Sequence, residues 1–355
     1  MKNKKTSPGF GRLVSFLLCV TGLSFALQSA PAAHADELIL YFISSPTGMN
    51  WKSPKTVAQS VLVNTVATLL GSQHSIGHAQ TQLHCGGSDG QPEFFLASGM
   101  SNIDDTDQDL VLKKKIGLSV LYYNFEGYFE KGSEVFADIG SKYGLKHTNH
   151  VTFEISPSTC RRLQQYVTEF ESRGFWRNYG LPNRPRYGEG SGCSAYAASF
   201  PDVGGLMLPE FKSGWTRFRR VPTQYLGGDL NGGKKVSIFK IAAESGSHWA
   251  APNEDHKEIF FWDPDMMYRW VKYTYQEVLA GRADLGYPTV TEFNERGYGL
   301  RIDMSALPTP TGPIWLQDDD AGMDRSSASE LKAWKSASND MEARMNAALG
   351  DEAAE

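Results

Sequence analysis

Apolar and polar positions along the chain repeat with two periods, and the places where the period changes mark out the elements. Three segments carry apolar residues at helical spacing between a proline start and a glycine end. Ser53-Pro54 opens one that Gly71 closes, with Val57, Val61, Val66 and Leu69 along its apolar side. Ser156-Pro157 opens a second, closed by Gly174, with Cys160, Leu163, Val167 and Phe170 on one face. Asp263-Pro264 opens a third, closed by Gly281, with Met267, Trp270, Val271 and Val278 inward. In each, a capping side chain takes up a free N–H, proline fills a position that needs no donor, and glycine tolerates the reversal. Strand-like runs cover residues 38–43, 76–85, 93–97, 118–125, 151–155 and 235–242. The turn Asn231-Gly232-Gly233 before the last predicts a hairpin. Helices and strands mix without regular alternation, which predicts an α+β fold.

The pattern changes at both ends. Residues 1–35 combine Lys2, Lys4, Lys5 and Arg12 with a short apolar run, 13–27, and the small-x-small sequence Ala33-His34-Ala35. That is a secretory signal with Asp36 as first mature residue, which predicts a secreted or periplasmic protein. No later apolar stretch approaches the roughly 20 residues of a membrane span. Near residue 305 the chain turns rich in Pro and Thr, followed by the acidic run 318–320. A helix then runs from the capping box Ser327-x-x-Glu330 to Gly350, with Leu331, Trp334, Met341, Met345 and Leu349 on one face. The expected organisation is therefore a leader over 1–35, an α+β domain over 36–304, and a linker with a docking helix over 305–355.

Charge narrows the function. The 355 residues carry a formal charge of −5, and removing the four basic residues of the leader takes it to −9. Such an acidic chain is no binder of nucleic-acid phosphates. Arg217, Arg219 and Arg220 form a basic group that could hold a substrate carboxylate or phosphate, against the default of a solvated surface. Cleavage leaves three cysteines, Cys85, Cys160 and Cys193, an odd number in an oxidising compartment. Cys85 and Cys160 both sit on apolar faces and can pair, leaving Cys193; two separate buried thiols are the alternative.

Cys193 follows Gly190-Ser191-Gly192 and precedes a small-residue run with Tyr196 and Phe200 four apart, as a thiol at a helix start would. Free N–H groups there favour thiolate and can bind an oxyanion, although a small buried structural cysteine fits the same residues. A base is needed. Residues 76–85 alternate, with His78, Gln80, Gln82 and His84 on one face. His78 and His84 lie about 20 Å apart along such a strand. His78 follows Gly77, whose missing side chain leaves room beside a reacting group, so His78 is the candidate. A zinc site built on His74, His78 and His84, or on His147 and His150, competes, but the His-Glu-x-x-His pattern is missing.

The glycine-histidine strand, the long gap, and the cysteine opening an Ala/aromatic helix resemble the circularly permuted papain-like cysteine hydrolases, which include permuted NlpC-type peptidases and lecithin–retinol acyltransferase-like enzymes. The resemblance implies a papain-like antiparallel sheet packed on helices, and a Cys193–His78 pair that cleaves or transfers an acyl group with a third polar residue orienting the imidazole. Gly192 stands where relatives often have asparagine, and the 115 residues between His78 and Cys193 imply large insertions. Glu154, a charge inside the apolar run 151–155, suits the third role, as does His150; an edge strand with Glu154 facing water accounts for it equally. The expected substrate is a peptide or acyl compound, with peptidoglycan the nearest abundant amide, and the chemistry needs no cofactor or metal. A non-catalytic secreted or envelope-associated binding protein is the rival from another class.

Overall fold

The computed structural model describes residues 36–69, 77–87, 92–103, 106–143, 147–317 and 328–350. The leader, Gly71, His74, the acidic run 318–320 and Ser327 lie outside them.

Strand β1 (Glu37–Ile43) is apolar on both faces, and it takes the middle of a sheet whose two sides are covered. With β2 (His78–Cys85), β3 (Phe94–Asn102), β4 (Phe125–Lys131), β5 (Thr148–Glu154), β6 (Asn178–Tyr179), β9 (Thr289–Asn294) and β10 (Gly297–Asp303) it forms an eight-stranded sheet, ordered β6-β4-β3-β2-β1-β5-β10-β9. All neighbours are antiparallel except β5 and β10, so the sheet is mixed rather than the antiparallel one expected. A separate hairpin joins β7 (Thr216–Pro222) to β8 (His256–Trp262).

Helices α1 (Pro54–Leu69), α2 (Thr106–Gln108), α3 (Ser133–Tyr143), α4 (Pro157–Ser172), α5 (Cys193–Gly204), α6 (Pro209–Trp215), α7 (Ile238–Ala243), α8 (Pro264–Leu279) and α9 (Ala328–Leu349) complete the α+β fold. Leu38, Leu40 and Phe42 join Ala79, Leu83 and Phe153 beneath α4, α5 and α8 in the main core. On the opposite face Ile39 and Tyr41 pack on Val135 and Ile139 of α3. His78 and Gln80 are buried too, so this end of β2 is not half-open as its alternation predicts.

The proline-opened helices form where expected. Ser156 Oγ accepts from Thr159 N–H at 3.2 Å, and Asp263 Oδ1 accepts from Asp265 N–H at 2.8 Å and Met266 N–H at 3.1 Å. Gly174 and Gly281 take the left-handed conformation just past α4 and α8. In α1, Val57 is buried, but Val66 turns to solvent. Two strand expectations fail. Residues 118–122 wind into a 3-10 turn, and 238–243 form α7, because Ile238 and Ile241 bury on one side at helical spacing. The glycine turn is real, with Gly232 and Gly233 at positive φ, but it leads through a single bridge, Gly228 to Lys234, into that helix.

Cys85 and Cys160 lie at disulfide distance, tying β2 to α4 with Cα atoms 5.7 Å apart. The 305–317 stretch is pinned to the body: Thr309 Oγ1 hydrogen-bonds Ser158 Oγ at 2.7 Å, and Arg186 donates to the Ile314 carbonyl at 3.0 Å. Helix α9 docks in cis, burying Trp334, Ser338 and Met345 against α6, α8 and β7. No helix among the described residues is long and apolar enough to cross a membrane.

The docking has a buried electrostatic centre. Arg217 is fully buried, donates to Asp263 Oδ2 at 2.6 Å, and pairs with Glu342 of α9, which also holds Arg219. Trp51 lies over the Arg217 guanidinium at 4.9 Å. Arg217 and Arg219 are thus spent on the fold, while the partly exposed Arg220 pairs with Glu258 at 3.5 Å. Breaking a buried pair leaves an uncompensated charge, so Glu342→Ala is expected to destabilise by about 3 kcal/mol. Urea denaturation checks this; an unchanged midpoint would mean that Glu342 is not holding α9.

Candidate active site

The approach to α5 is dictated by its glycines. Gly190 has φ +97°, and a side chain there would run into the Asn178 carbonyl; a Cβ at Gly192 would sit 3.1 Å from the Gly180 carbonyl. Their absence lets the chain press on β6, where Ser191 N–H donates to the Asn178 carbonyl at 2.9 Å. Cys193 is then the first residue of α5, with Gly192 as a cap that supplies no side chain. The helix dipole favours a negative sulfur at this position.

His78, the first residue of β2, reaches this thiol. Its Nε2 lies 3.0 Å from Glu130 Oε2, and Gln80 Nε2 donates to the same oxygen at 3.3 Å. Glu130 stands opposite Gly99 in the β3–β4 register, and Gly99 stands opposite Gln80 in β2–β3. A Cβ at residue 99 would overlap the Glu130 carboxylate, so glycine there lets the carboxylate cross β3 to the imidazole. Tyr179, at the end of β6, is a second neighbour of the Cys193 thiol, and Ser194 Oγ is 3.7 Å from the sulfur.

The charges reinforce one another. Burial alone drives the His78 imidazole towards neutrality, but the Glu130 carboxylate and the Cys193 sulfur outweigh it and hold the imidazole well above its ordinary value. Burial likewise pushes the Cys193 thiol up, and the charge and hydrogen bond of His78, with Ser194 and Tyr179, bring it below the usual thiol range. Burial and the neighbouring sulfur push the Tyr179 phenol well above its ordinary value, so it stays protonated as a donor. The arrangement is a thiolate–imidazolium pair anchored by a carboxylate, the set that nucleophilic acyl transfer requires.

The expected pair is therefore brought together, but the third residue is not. Glu154 lies at the other end of the sheet: in the β1 registers His78 stands opposite Ile43, and Glu154 opposite Glu37. Glu154 is half-buried and holds Arg301 at 3.4 Å. His150 is also removed from the site, its Nε2 3.2 Å from Glu292. Glu130 escaped notice because the run 118–125 looked like the strand, whereas β4 begins at Phe125. Pairing 78–85, 94–102 and 125–131 as a meander would have aligned Gln80, Gly99 and Glu130. The room at Gly77 is also used differently: a Cβ there would meet Asp265 Oδ1 at 2.9 Å and Pro264 Cγ at 3.1 Å.

The zinc candidates are dispersed. His84 bonds Glu93 at 2.7 Å and His147 bonds Ser44 at 3.0 Å, while His74 is outside the described residues. Among the described residues no three His, Cys, Asp or Glu side chains gather as a metal site.

His78 and Tyr179 open on a cavity of about 220 Å³. Cys193 itself is only 2% exposed, so the sulfur lies behind these two side chains. Compared with models of known protein families, with curated proteins and with solved structures, the chain finds no match.

Cys193 alkylation by iodoacetamide should show an apparent pKa below the unperturbed value of about 8.5. Glu130→Gln removes the negative charge that keeps His78 protonated; His78 then loses its proton more readily and stabilises the thiolate less. The midpoint should rise towards the ordinary thiol value in Glu130→Gln and more so in His78→Ala. Mass spectrometry of the labelled peptide reads both; identical midpoints in all three proteins would contradict the charge coupling.

Proposed function

We propose that the protein is a cysteine hydrolase or acyltransferase acting on amide or ester bonds, of the permuted papain-like kind that its motifs resemble. The observation that carries this reading is the buried line of Glu130, His78 and Cys193 at a helix N-terminus. The Cys193 thiolate forms a bond to the substrate carbonyl carbon, and the carbonyl π electrons move to oxygen. The N–H of Cys193 and the Tyr179 hydroxyl are the donors at hand for that oxyanion. When the carbonyl re-forms, the bond to the leaving amine or alcohol breaks and His78 gives it a proton. The neutral imidazole then takes a proton from water, or from an acceptor hydroxyl or amine, as that group attacks the thioester and the sulfur departs. Glu130 holds Nε2 throughout and leaves Nδ1 to face the sulfur. With the leader removed, this chemistry belongs in the periplasm or outside the cell.

Burial of the sulfur favours one rival, a secreted binding protein whose thiol is structural. Labelling of Cys193 only on unfolding would carry that rival.

Cys193→Ala should abolish turnover with an unchanged circular dichroism spectrum; full activity in that variant would end the proposal. Gly99→Ala should act at a distance, since its methyl displaces the Glu130 carboxylate. A fall in kcat of about 10- to 100-fold is expected, comparable to Glu130→Gln and smaller than the roughly 10²–10⁴-fold of a general acid–base itself, since Glu130 acts through His78. Glu154→Gln should leave kcat unchanged. Equal losses in Gly99→Ala and Glu154→Gln would show that Glu130 has no special place.

A further inference from the structure

We infer that the acyl half of the substrate is an uncharged, apolar chain seated in the cavity at His78. This rests on the acyl-transfer reading of Cys193 and specifies its substrate. The cavity runs from His78 and Tyr179 into the second apolar cluster of the protein, and is walled by Trp51, Val57, Val61, Val111, Leu121 and Phe261 among others. These come from the stretch before α1, α1 itself, the 109–114 and 118–122 turns, and β8, segments lying outside the pairing of β2 with α5.

Three features argue for a ligand rather than a packing fault. An empty apolar hollow forfeits contacts that a closed core would make, so it is a standing cost to stability. One wall is a π-helical stretch, Asp109–Lys114, that ends on Lys115 at φ +61°, a strained conformation for a residue with a side chain. The cavity also reaches the site, because His78 and Tyr179, the two side chains in front of Cys193, are part of the lining.

The charges of the wall set the chemistry further. Among its described residues there is no lysine or arginine. Its carboxylates are already engaged: Asp107 with Asn102 at 3.3 Å, Asp263 with Arg217 at 2.6 Å, and Asp265 with Ser45 at 2.7 Å. A fatty chain finds apolar contact here, whereas a carboxylate on its far end finds no lysine or arginine among the described lining residues. Stem peptides of the cell wall, which carry carboxylates, fit this cavity poorly.

The test is a series of p-nitrophenyl esters from acetyl to decanoyl, with decanamide binding to Cys193→Ala measured alongside by calorimetry. In the unaltered protein kcat/KM should rise roughly fourfold per added methylene until the cavity is full, the gain expected for burying one methylene. Val61→Trp and Leu121→Trp, which fill the cavity from two sides, should each lower the ratio of octanoyl to acetyl kcat/KM at least tenfold. Decanamide should bind and decanoate should not. A flat chain-length profile that still requires Cys193 would overturn the apolar-chain inference and leave the acyl-transfer reading standing. Equal binding of decanoate would overturn the charge argument. Decanamide binding without any Cys193-dependent turnover would instead overturn the acyl-transfer reading and keep an apolar-ligand site.

Discussion

The Glu130 carboxylate and the His78 imidazole are both taken out of water, and each makes the burial of the other tolerable. A carboxylate in that place without a cation would lose more in hydration than the fold could return. An imidazole there without the carboxylate would hold its proton less firmly, and would lower the Cys193 thiol beside it less. The contact at 3.0 Å therefore sets the charge of the whole site. It also reaches back into the backbone: Gly99 must lack a side chain for the carboxylate to cross, and β2, β3 and β4 must run as a meander in one register to bring the two residues level. The pH behaviour follows. The thiolate is lost as pH falls through the lowered pKa of Cys193, and the imidazolium is lost as pH rises through the raised pKa of His78.

A second buried charge centre plays a structural part with similar means. Arg217 is held by Asp263 from the start of α8 and by Glu342 from α9, so the C-terminal helix is keyed to the body by a charge it must satisfy. The two centres meet at the cavity. Asp263 and Trp51 line it, and Trp51 is stacked over Arg217 on its far side. Helix α9 thus braces the cavity wall from behind, through Arg217 and Asp263.

What the sequence disclosed follows from how local each signal was. The α+β class, the capped helices α4 and α8, the Cys193 helix start and the His78 strand are written in a few consecutive residues each. For Cys85 and Cys160 the apolar faces allowed either a disulfide or two buried thiols, and only the fold brings the two to disulfide distance. Glu130 was not legible, because its meaning lies in a cross-strand register through a glycine. Glu154 was chosen by the same logic that would have found Glu130, a charge in an apolar strand, but its partner is Arg301 at the far end of the sheet. Short apolar runs such as 118–122 and 238–243 misled for a plain reason: a handful of apolar residues does not distinguish a strand from a buried turn of helix. Those same runs, with α1, build the cavity wall.

The central claim is that Glu130 keeps His78 protonated beside Cys193, and titration of the His78 ring by nitrogen NMR reads it without substrate. The account predicts that both ring nitrogens are protonated at neutral pH, with a midpoint well above the ordinary imidazole value that drops in Glu130→Gln. A neutral ring at pH 7, titrating at or below about 6.5 and indifferent to Glu130→Gln, would contradict it.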